Sequence, residues 1–164
     1  MNQTNKEIEK LVKSDMYQVF LLASPCSIPL SFASHTWFVV NKMGVLSRYE
    51  IVHTVMYRSE KSWGHLAMNF LPSFSGLNII PFYFGKFYFK ANLVNFIEGG
   101  EESSAKGMID FIENSPNIYS HTKEYVYTGP NSNTYTQWIL DQFPEFKAKL
   151  PWNAVGKNYE KKVL

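Results

Sequence analysis

The sequence predicts an α+β fold in which helices pack on a mainly antiparallel sheet. Three apolar runs follow one another with short connections in residues 16–55, as in an antiparallel meander. Two segments with helical patterning come later, at residues 101–114 and 134–143. The chain has 164 residues, so we expect a single domain, 1–164, in which one helix precedes the sheet and two pack on it.

The first third of the chain supplies the first helix and three strands. A short polar helix is expected within residues 1–15, because Thr4 and Glu7 have the spacing of a capping box. β-Branched and aromatic residues then predict strands, with a turn at 42–44 before the third. These strands are expected at 16–23, 36–41 and 45–55.

The middle of the chain is harder to assign. Gly and Pro recur through residues 57–89, so any regular elements there must be short. A further strand is expected at 91–97, and Gly99 and Gly100 end it. Sheet and irregular structure therefore alternate before the two later helices.

The helix predicted at 101–114 begins with acidic residues, which the helix dipole favours, and Pro116 is expected to end it. A short strand at 124–128 is expected to lead into the helix at 134–143. Residues 145–164 are expected to form an irregular C-terminal tail, because Pro and Gly interrupt them.

Composition excludes several classes of function. The net charge is +2 and the arginines are only Arg48 and Arg58, which argues against nucleic-acid and phosphate partners. A single cysteine, Cys26, allows no intrachain disulfide and no zinc site of several thiolates. The histidines other than His35 are His53, His65 and His121. None has the spacing of a helical metal pair, so we expect no metal and no cofactor.

Four polar residues before the last predicted helix form the main candidate site. Asn131, Ser132, Asn133 and Thr134 follow the Gly129-Pro130 turn, and a helix start offers free backbone N–H groups that stabilise an anion. Ser132 is the candidate nucleophile, and the other three are candidate ligand-binding residues. The alternative is that these residues only cap the helix, which their side chains favour.

His35 is the candidate base for this serine. It precedes the second apolar run, beside Trp37, a further candidate ligand contact. Neutral imidazole accepts a proton from a serine hydroxyl, and Glu50 on the next strand is the candidate that orients the ring. A half-buried histidine bonded to the backbone and a surface carboxylate are the structural alternatives. Whether His35 and Ser132 meet in space decides between these interpretations.

An aromatic, nearly uncharged stretch at residues 70–90 has three interpretations: core, pocket wall or membrane-facing surface. Pro and Gly interrupt it, which argues against a membrane-spanning helix. Contact with a membrane surface would use an aromatic set. That set is Phe82, Phe84, Phe87 and Phe89. The N-terminus is polar and carries mixed charge, unlike a secretory signal, so a cytoplasmic location is expected.

The polar run at 131–135 resembles the Asn-Cys-X-X-Phe helix start of the circularly permuted papain-like proteins. These are relatives of NlpC-type cell-wall peptidases and of lecithin retinol acyltransferase. In that class the histidine precedes the cysteine in the chain, and His35 precedes Ser132 in the same order. Ser132 stands where that class has its cysteine, so a thiolate mechanism cannot operate.

The chain also resembles a bacterial family known as domain of unknown function 3750. The matching residues are 35–38, 49–51, 129–135 and 150–159. The family name itself implies no activity.

The papain-like resemblance implies a hydrolase or acyl transferase acting on amide or ester bonds. Ser132 would be the nucleophile, His35 the base and Glu50 the orienting group, while Asn131 or backbone N–H groups would hold the oxyanion. One rival interpretation is a binding domain that keeps the cleft without the chemistry and takes a peptide, glycan or acyl ligand. The other rival is a peripheral membrane protein.

Overall fold

A computed structural model of the chain describes residues 6–53, 60–80 and 87–160. The fold is α+β, as predicted, with helices packed on a mainly antiparallel sheet. In chain order the described elements are α1 (Lys6–Glu9), β1 (Tyr17–Pro25), β2 (Ser34–Lys42), β3 (Val45–Ile51), β4 (Lys61–Trp63), β5 (Leu66–Met68), β6 (Ser75–Asn78), β7 (Tyr88–Lys90), β8 (Asn92–Gly99), α2 (Ser104–Ile118), α3 (Ser132–Gln142) and a 3₁₀ turn (Pro144–Phe146).

The main sheet of the described residues has six strands in the order β4-β5-β3-β2-β1-β8. Every neighbouring pair is antiparallel, and β1, β2 and β3 form the predicted meander. Two short strands, β6 and β7, pair with each other as a separate sheet. In the described part of the stretch rich in Gly and Pro, the elements are therefore all short, as its composition predicts.

Both faces of the sheet are covered. Phe38 and Ile51 on one face pack in a single cluster with Ile109 of α2 and Ile139 of α3. We call this the helix face. The opposite face, centred on Trp37, packs with residues from α1 and from the loops around β6 and β7. Because β1 and β2 are buried on both sides, they read as nearly continuous apolar runs.

The sheet strands differ from their predicted bounds at the ends. β2 begins at Ser34 rather than at residue 36, because its antiparallel pairing with β1 continues through His35 opposite Ser24 and Ser34 opposite Pro25. β3 ends at Ile51. Thr4, the predicted cap of the first helix, lies outside the described residues.

Three predictions around α2 and α3 are wrong. α2 begins at Ser104 rather than at residue 101, with Ser103 as its N-cap, so the acidic residues at 101 and 102 precede its first turn. Pro116 does not end α2, which continues to Ile118, and its last turn is held by a hydrogen bond from the Tyr119 N–H to the Ser115 carbonyl (2.8 Å). Residues 124–128 form no strand, because the Val126 N–H bonds the carbonyl at position 130 (2.8 Å) within a local turn. The backbone N–H of residue 126 therefore has its hydrogen bond within the turn and needs no partner strand.

α3 begins at Ser132, two residues earlier than predicted, because Asn131 serves as its N-cap. Beyond α3, the described C-terminal segment is mostly turns. Phe146, Leu150 and Ala154 from that segment are buried in the helix-face core. Residues 146–154 are therefore packed into the same core as α3.

Candidate functional site

β2 presents its first residues to two different layers of the fold. Side chains alternate along a strand, so Thr36 points to α3 whereas His35 and Trp37 point to the opposite face. The Thr36 hydroxyl accordingly donates to Asn133 Oδ1 at 2.8 Å. The predicted base therefore leaves the strand on the side away from the body of the helix that carries Ser132.

His35 forms a buried pair with Glu50, as expected for an orienting carboxylate. His35 Nε2 lies 2.8 Å from Glu50 Oε2. The imidazole is 5% exposed and the carboxylate is wholly buried. A carboxylate only accepts, so Nε2 carries the donated hydrogen, and in the neutral ring Nδ1 keeps a lone pair. Nδ1 makes no hydrogen bond to any residue in the described part of the chain.

Arg48 completes this buried group. Its Nη2 atom donates to Glu50 Oε2 and its Nε atom lies close to Glu50 Oε1, both at 2.7 Å. Its Nη1 atom donates to the carbonyls of Pro72 (2.9 Å) and Ser75 (2.5 Å). The guanidinium carbon lies 4.2 Å from the centre of the Trp37 ring. The buried charge is thus paired and hydrogen-bonded, which is the condition for keeping it in a core.

The carboxyl of Glu50 stays ionised in this setting. Burial alone raises its pKa, but the Arg48 charge and the hydrogen bond to His35 together outweigh burial, and the pKa falls below its usual range. The ionised Glu50 carboxylate therefore fixes the orientation of the His35 ring. Its negative charge would also stabilise a proton arriving at His35 Nδ1.

The start of α3 is built around the Asn131 side chain. Its Oδ1 atom accepts from the backbone N–H groups of Asn133 (3.0 Å) and Thr134 (3.3 Å), and the Thr134 hydroxyl accepts from the Asn131 N–H in a capping box. Its Nδ2 atom donates to the carbonyls of Tyr127 (2.8 Å) and Val155 (3.1 Å), and also to that of residue 126. The polar capacity of Asn131 is therefore used within the protein.

Asn133 and Thr134 also make internal hydrogen bonds. Asn133 Nδ2 donates to the carbonyls of Ser34 and Val155, both at 2.8 Å. The Thr134 hydroxyl donates to the Gly156 carbonyl, also at 2.8 Å. These contacts connect α3 to the start of β2 and to the C-terminal segment. Structural hydrogen bonds therefore account for both side chains, and only Thr134 belongs to the cap.

Ser132 differs from its neighbours. Neither its hydroxyl nor its backbone N–H has a hydrogen-bond partner among residues 6–53, 60–80 and 87–160, although the residue is only 3% exposed. It is the first residue of α3, where the free N–H groups and the helix dipole favour an acceptor or an anion. Two donors at one helix start are thus left available.

A cavity of about 730 Å³ lies where the sheet ends against the start of α3. His35, Ser132, Asn131 and Asn133 contribute polar groups to its wall, and most of the other lining side chains are apolar or aromatic. The apolar and aromatic lining includes Ile28, Leu30, Ile51, Phe70, Leu71, Leu77, Tyr88, Tyr125 and Tyr127. The volume falls in the range typical of small-molecule sites.

The structure brings some of the predicted site residues together and leaves others apart. His35 and Ser132 line the same cavity but form no hydrogen bond with each other. Glu50 supports the site through His35. Trp37 is wholly buried beneath Arg48, Thr134 is buried in the cap, and neither is part of the cavity wall. The predicted ligand contacts of Trp37 and Thr134 stay predictions, because neither side chain reaches the cavity.

Sequence reasoning missed Arg48 as part of the site. A signal was present, because strand alternation places Arg48 and Glu50 on one face of β3. An arginine two residues from a carboxylate within a strand indicates an ion pair on one side of the sheet. What the sequence did not show is that this side is fully buried.

Cys26 and the three other histidines lie in different environments. Cys26 lines the cavity, and burial raises the pKa of its thiol to about 11, so it is a thiol at neutral pH. His53 lines the cavity too, whereas His65 bonds the Val52 carbonyl and His121 pairs with acidic side chains. In the described ranges, no group of three metal-ligating side chains is close enough to hold an ion.

The aromatic set proposed for membrane contact is only partly described. Phe82 and Phe84 lie outside the described residues. Phe87 is largely exposed and Phe89 is half-buried in β7. Among the helices that the structure describes, none is long and apolar enough to span a bilayer.

One family model matches nearly the whole chain, over the same residues that form this fold. The model of the family described as "Protein of unknown function (DUF3750)" matches residues 15–159, which include the sheet, both large helices and the cavity. The chain belongs to the DUF3750 family. No curated protein and no solved structure matches the chain significantly. The permuted papain-like architecture therefore stays a prediction.

Proposed function

We propose that this DUF3750 protein binds a small ligand that has an apolar body and an acyl oxygen at one end. The observation that carries the proposal is the cavity of about 730 Å³, in which the unpartnered donors of Ser132 face an otherwise largely apolar space. Pockets of this size with a few converging polar groups are the usual form of a small-molecule site.

Ser132 supports the choice of an acyl oxygen. Its N–H and O–H are donors at the positive end of the α3 dipole, so a carbonyl or carboxylate oxygen is the complementary group. A second polar contact is available at His35, whose Nδ1 accepts a hydrogen bond in the neutral ring. A free acid, an ester or an amide satisfies the Ser132 donors, and an amide N–H or hydroxyl satisfies Nδ1.

The apolar body of the ligand would lie against the remaining wall. Leu71 and Leu77 from the segment around β6, and Ile51 from the end of β3, line the cavity. Removing apolar ligand surface from water is worth roughly 25 cal/mol per Å². Most of the affinity would thus come from the body, and the polar end would set the orientation.

Binding of a fluorescent medium-chain fatty acid tests the proposal. We expect the wild-type chain to bind a dansyl-labelled undecanoic acid, and Leu77→Trp, which fills the cavity, to weaken binding about tenfold or more. Met43→Trp adds the same ring on the exposed β2–β3 turn and should leave binding unchanged. Equal affinity in all three chains, each folded by circular dichroism, would show that the cavity is not the binding site.

A second candidate function is acyl transfer or hydrolysis at the same site. The His35–Glu50 pair favours it, because a buried carboxylate holds the ring with Nδ1 available as a base. In that reaction Ser132 Oγ would attack the acyl carbon while Nδ1 takes the hydroxyl proton, and the bond from the acyl carbon to the leaving alcohol or amine would break as Nδ1 passes the proton to that group. Water in hydrolysis, or an acceptor hydroxyl or amine in acyl transfer, would then take the acyl group from Ser132. Since Ser132 and His35 form no hydrogen bond with each other in this structure, the ligand would have to bring them together.

Labelling with a fluorophosphonate distinguishes catalysis from binding alone. If Ser132 is a nucleophile, the wild-type chain should form an adduct that Ser132→Ala abolishes and Ser103→Ala, at the start of α2, does not. An unlabelled wild-type chain that still binds the fatty acid would refute the catalytic candidate. A papain-like architecture and a cytoplasmic location are kept as further proposals and are not needed for either function.

A further inference from the structure

Exposed apolar side chains lie on the segments that form the cavity wall. Phe32 is 66% exposed and Trp152 is 90% exposed. The other members of this group are Ile28, Leu30, Ile80, Phe87, Val126 and Tyr127. We call these eight residues the rim. Scattered exposed apolar side chains are ordinary on a protein surface, but a contiguous group around a cavity indicates a binding surface.

Hydrogen bonds join several of the segments that carry the rim. The Ile28 N–H bonds the Ile79 carbonyl (2.9 Å), and the Ile79 N–H bonds the Phe87 carbonyl (2.8 Å). On the other side, Asn153 Nδ2 donates to the Phe32 carbonyl (2.8 Å), which places Trp152 next to the β1–β2 loop. Segments that are far apart in sequence are therefore fixed side by side at the mouth.

The charge of these segments favours an anionic partner. Residues 26–34, 77–80, 87–89, 125–133 and 149–157 contain no acidic residue, and their only charged side chains are Lys149 and Lys157. The Lys157 ammonium donates to the Pro151 carbonyl at 2.7 Å, so this cation lies beside Trp152. An apolar, aromatic surface with flanking lysines complements a membrane whose headgroups are anionic.

We propose that the rim docks on an anionic phospholipid bilayer, so that the cavity opens into the lipid phase. This surface is different from the expected one at residues 82–89, because only Phe87 is shared. A bilayer fits better than a polar protein partner, because loop tips bearing Ile, Leu, Phe and Trp insert below the headgroups. The proposal rests on the rim and holds whatever ligand the cavity takes.

Flotation with liposomes provides the test. We expect the wild-type chain to float with vesicles of phosphatidylcholine and phosphatidylglycerol, and to float less with phosphatidylcholine alone. Phe32→Ser and Trp152→Ser should each lower the partition coefficient about tenfold, since burial of one large apolar side chain is worth about that factor. Val45→Ser is the matched control, because Val45 is 67% exposed.

The control residue lies far from the rim. Val45 follows the turn at the other end of β2, a nine-residue strand, and at about 3.3 Å per residue that distance is roughly 30 Å. Val45→Ser should therefore float like the wild type. Equal losses in the rim variants and in Val45→Ser would overturn the proposal, and so would a wild-type chain that never floats.

Two further readouts distinguish membrane docking from self-association of the chain. Brominated lipids should quench tryptophan fluorescence in the wild-type chain and much less in Trp152→Phe, which keeps an apolar ring at that position. A wild-type dimer that Phe32→Ser dissociates would overturn the proposal, because a second copy of the chain would then cover the rim. The rim variants should still bind the dansyl fatty acid added without vesicles, so failure of docking and failure of ligand binding are distinguishable.

Discussion

Glu50 is the residue on which the electrostatics of the site depend. It accepts from both Arg48 and His35 while wholly buried. Removing one partner from such a group leaves a buried charge uncompensated, which costs far more than the pair contributes over an apolar replacement. The carboxylate therefore determines both the local stability and the orientation of the candidate base.

Replacing Glu50 by glutamine should be strongly destabilising. We expect Glu50→Gln to lower the free energy of unfolding by about 3–5 kcal/mol, because the Arg48 guanidinium stays buried without its counter-charge. Glu113→Gln, which breaks the partly exposed Lys42–Glu113 pair, should cost at most about 1 kcal/mol. Urea denaturation at neutral pH measures both, and equal costs would contradict this role of Glu50.

The pH dependence of stability follows from the same carboxyl. The folded-state pKa of Glu50 lies below its ordinary value of 4.5, so its stabilisation is complete above that pH and is lost as the pH falls through the folded pKa. The free energy of unfolding should therefore fall more steeply below pH 4.5 in the wild type than in Glu50→Gln. Parallel pH profiles for the two chains would show that Glu50 is not ionised in the fold.

The sequence alone singled out Glu50 as a candidate, but it did not show which residues surround the carboxylate. Alternation placed Arg48 and Glu50 on one face of a strand, and His35 and Ser132 were both singled out by their positions at the ends of elements. The 2.8 Å contact between His35 and Glu50 depends on the register of β2 against β3, and the burial of the pair depends on what covers that face. Neither property is present in a local pattern.

At the scale of elements, the start of α3 is a junction between three parts of the chain. Its cap, Asn131, donates to the preceding turn at Tyr127 and to the C-terminal segment at Val155. Gly156 accommodates this approach, since a Cβ there would lie 2.5 Å from Asn131 Nδ2. Its φ of +92° also favours glycine.

The variant Asn131→Asp tests the junction apart from the cap. Aspartate is as good an N-cap as asparagine, but its second oxygen would face the carbonyls that now accept from Nδ2. We expect a loss of about 2 kcal/mol or more in the free energy of unfolding. Ser103→Asp introduces the same carboxylate at the N-cap of α2, where only one exposed bond, from the Ser103 hydroxyl to the Gly100 carbonyl (2.6 Å), is lost, so it should cost clearly less than Asn131→Asp. Thermal denaturation of both chains checks this, and a neutral Asn131→Asp would show that the donated bonds matter little.

Helices and strands were predicted correctly where the hydrophobic pattern is strongly periodic. Prediction failed where an element depends on a hydrogen-bonding partner that the local sequence does not show. The meander and both long helices were predictable from strand-forming runs and helical patterning. Residues 124–128 look like a strand, but they pair with none of the described strands, and the turn at 129–130 supplies their hydrogen bond. Pro116 was expected to end α2, yet its position in the last turn removes little of the hydrogen bonding there.

At the scale of the whole molecule, the cavity is assembled from segments spread along the chain. The β1–β2 loop, the end of β3, the β6 segment, the turn before α3 and the C-terminal segment all contribute to its wall. Such a space depends on long-range packing, so the sequence could indicate polar residues for a site but not the apolar volume beside them. Ligand binding as proposed therefore depends on that volume and on the unpartnered donors of Ser132.

A titration of isotope-labelled protein with decanoate, followed by amide and imidazole NMR, tests this dependence most directly. We predict that the Ser132 amide proton moves downfield as its N–H acquires an acceptor, that the His35 ring resonances shift, and that Met43 on the distant turn stays unchanged. A Ser132 amide that does not move while the ligand binds elsewhere, or no binding at any accessible concentration, would contradict the proposed function.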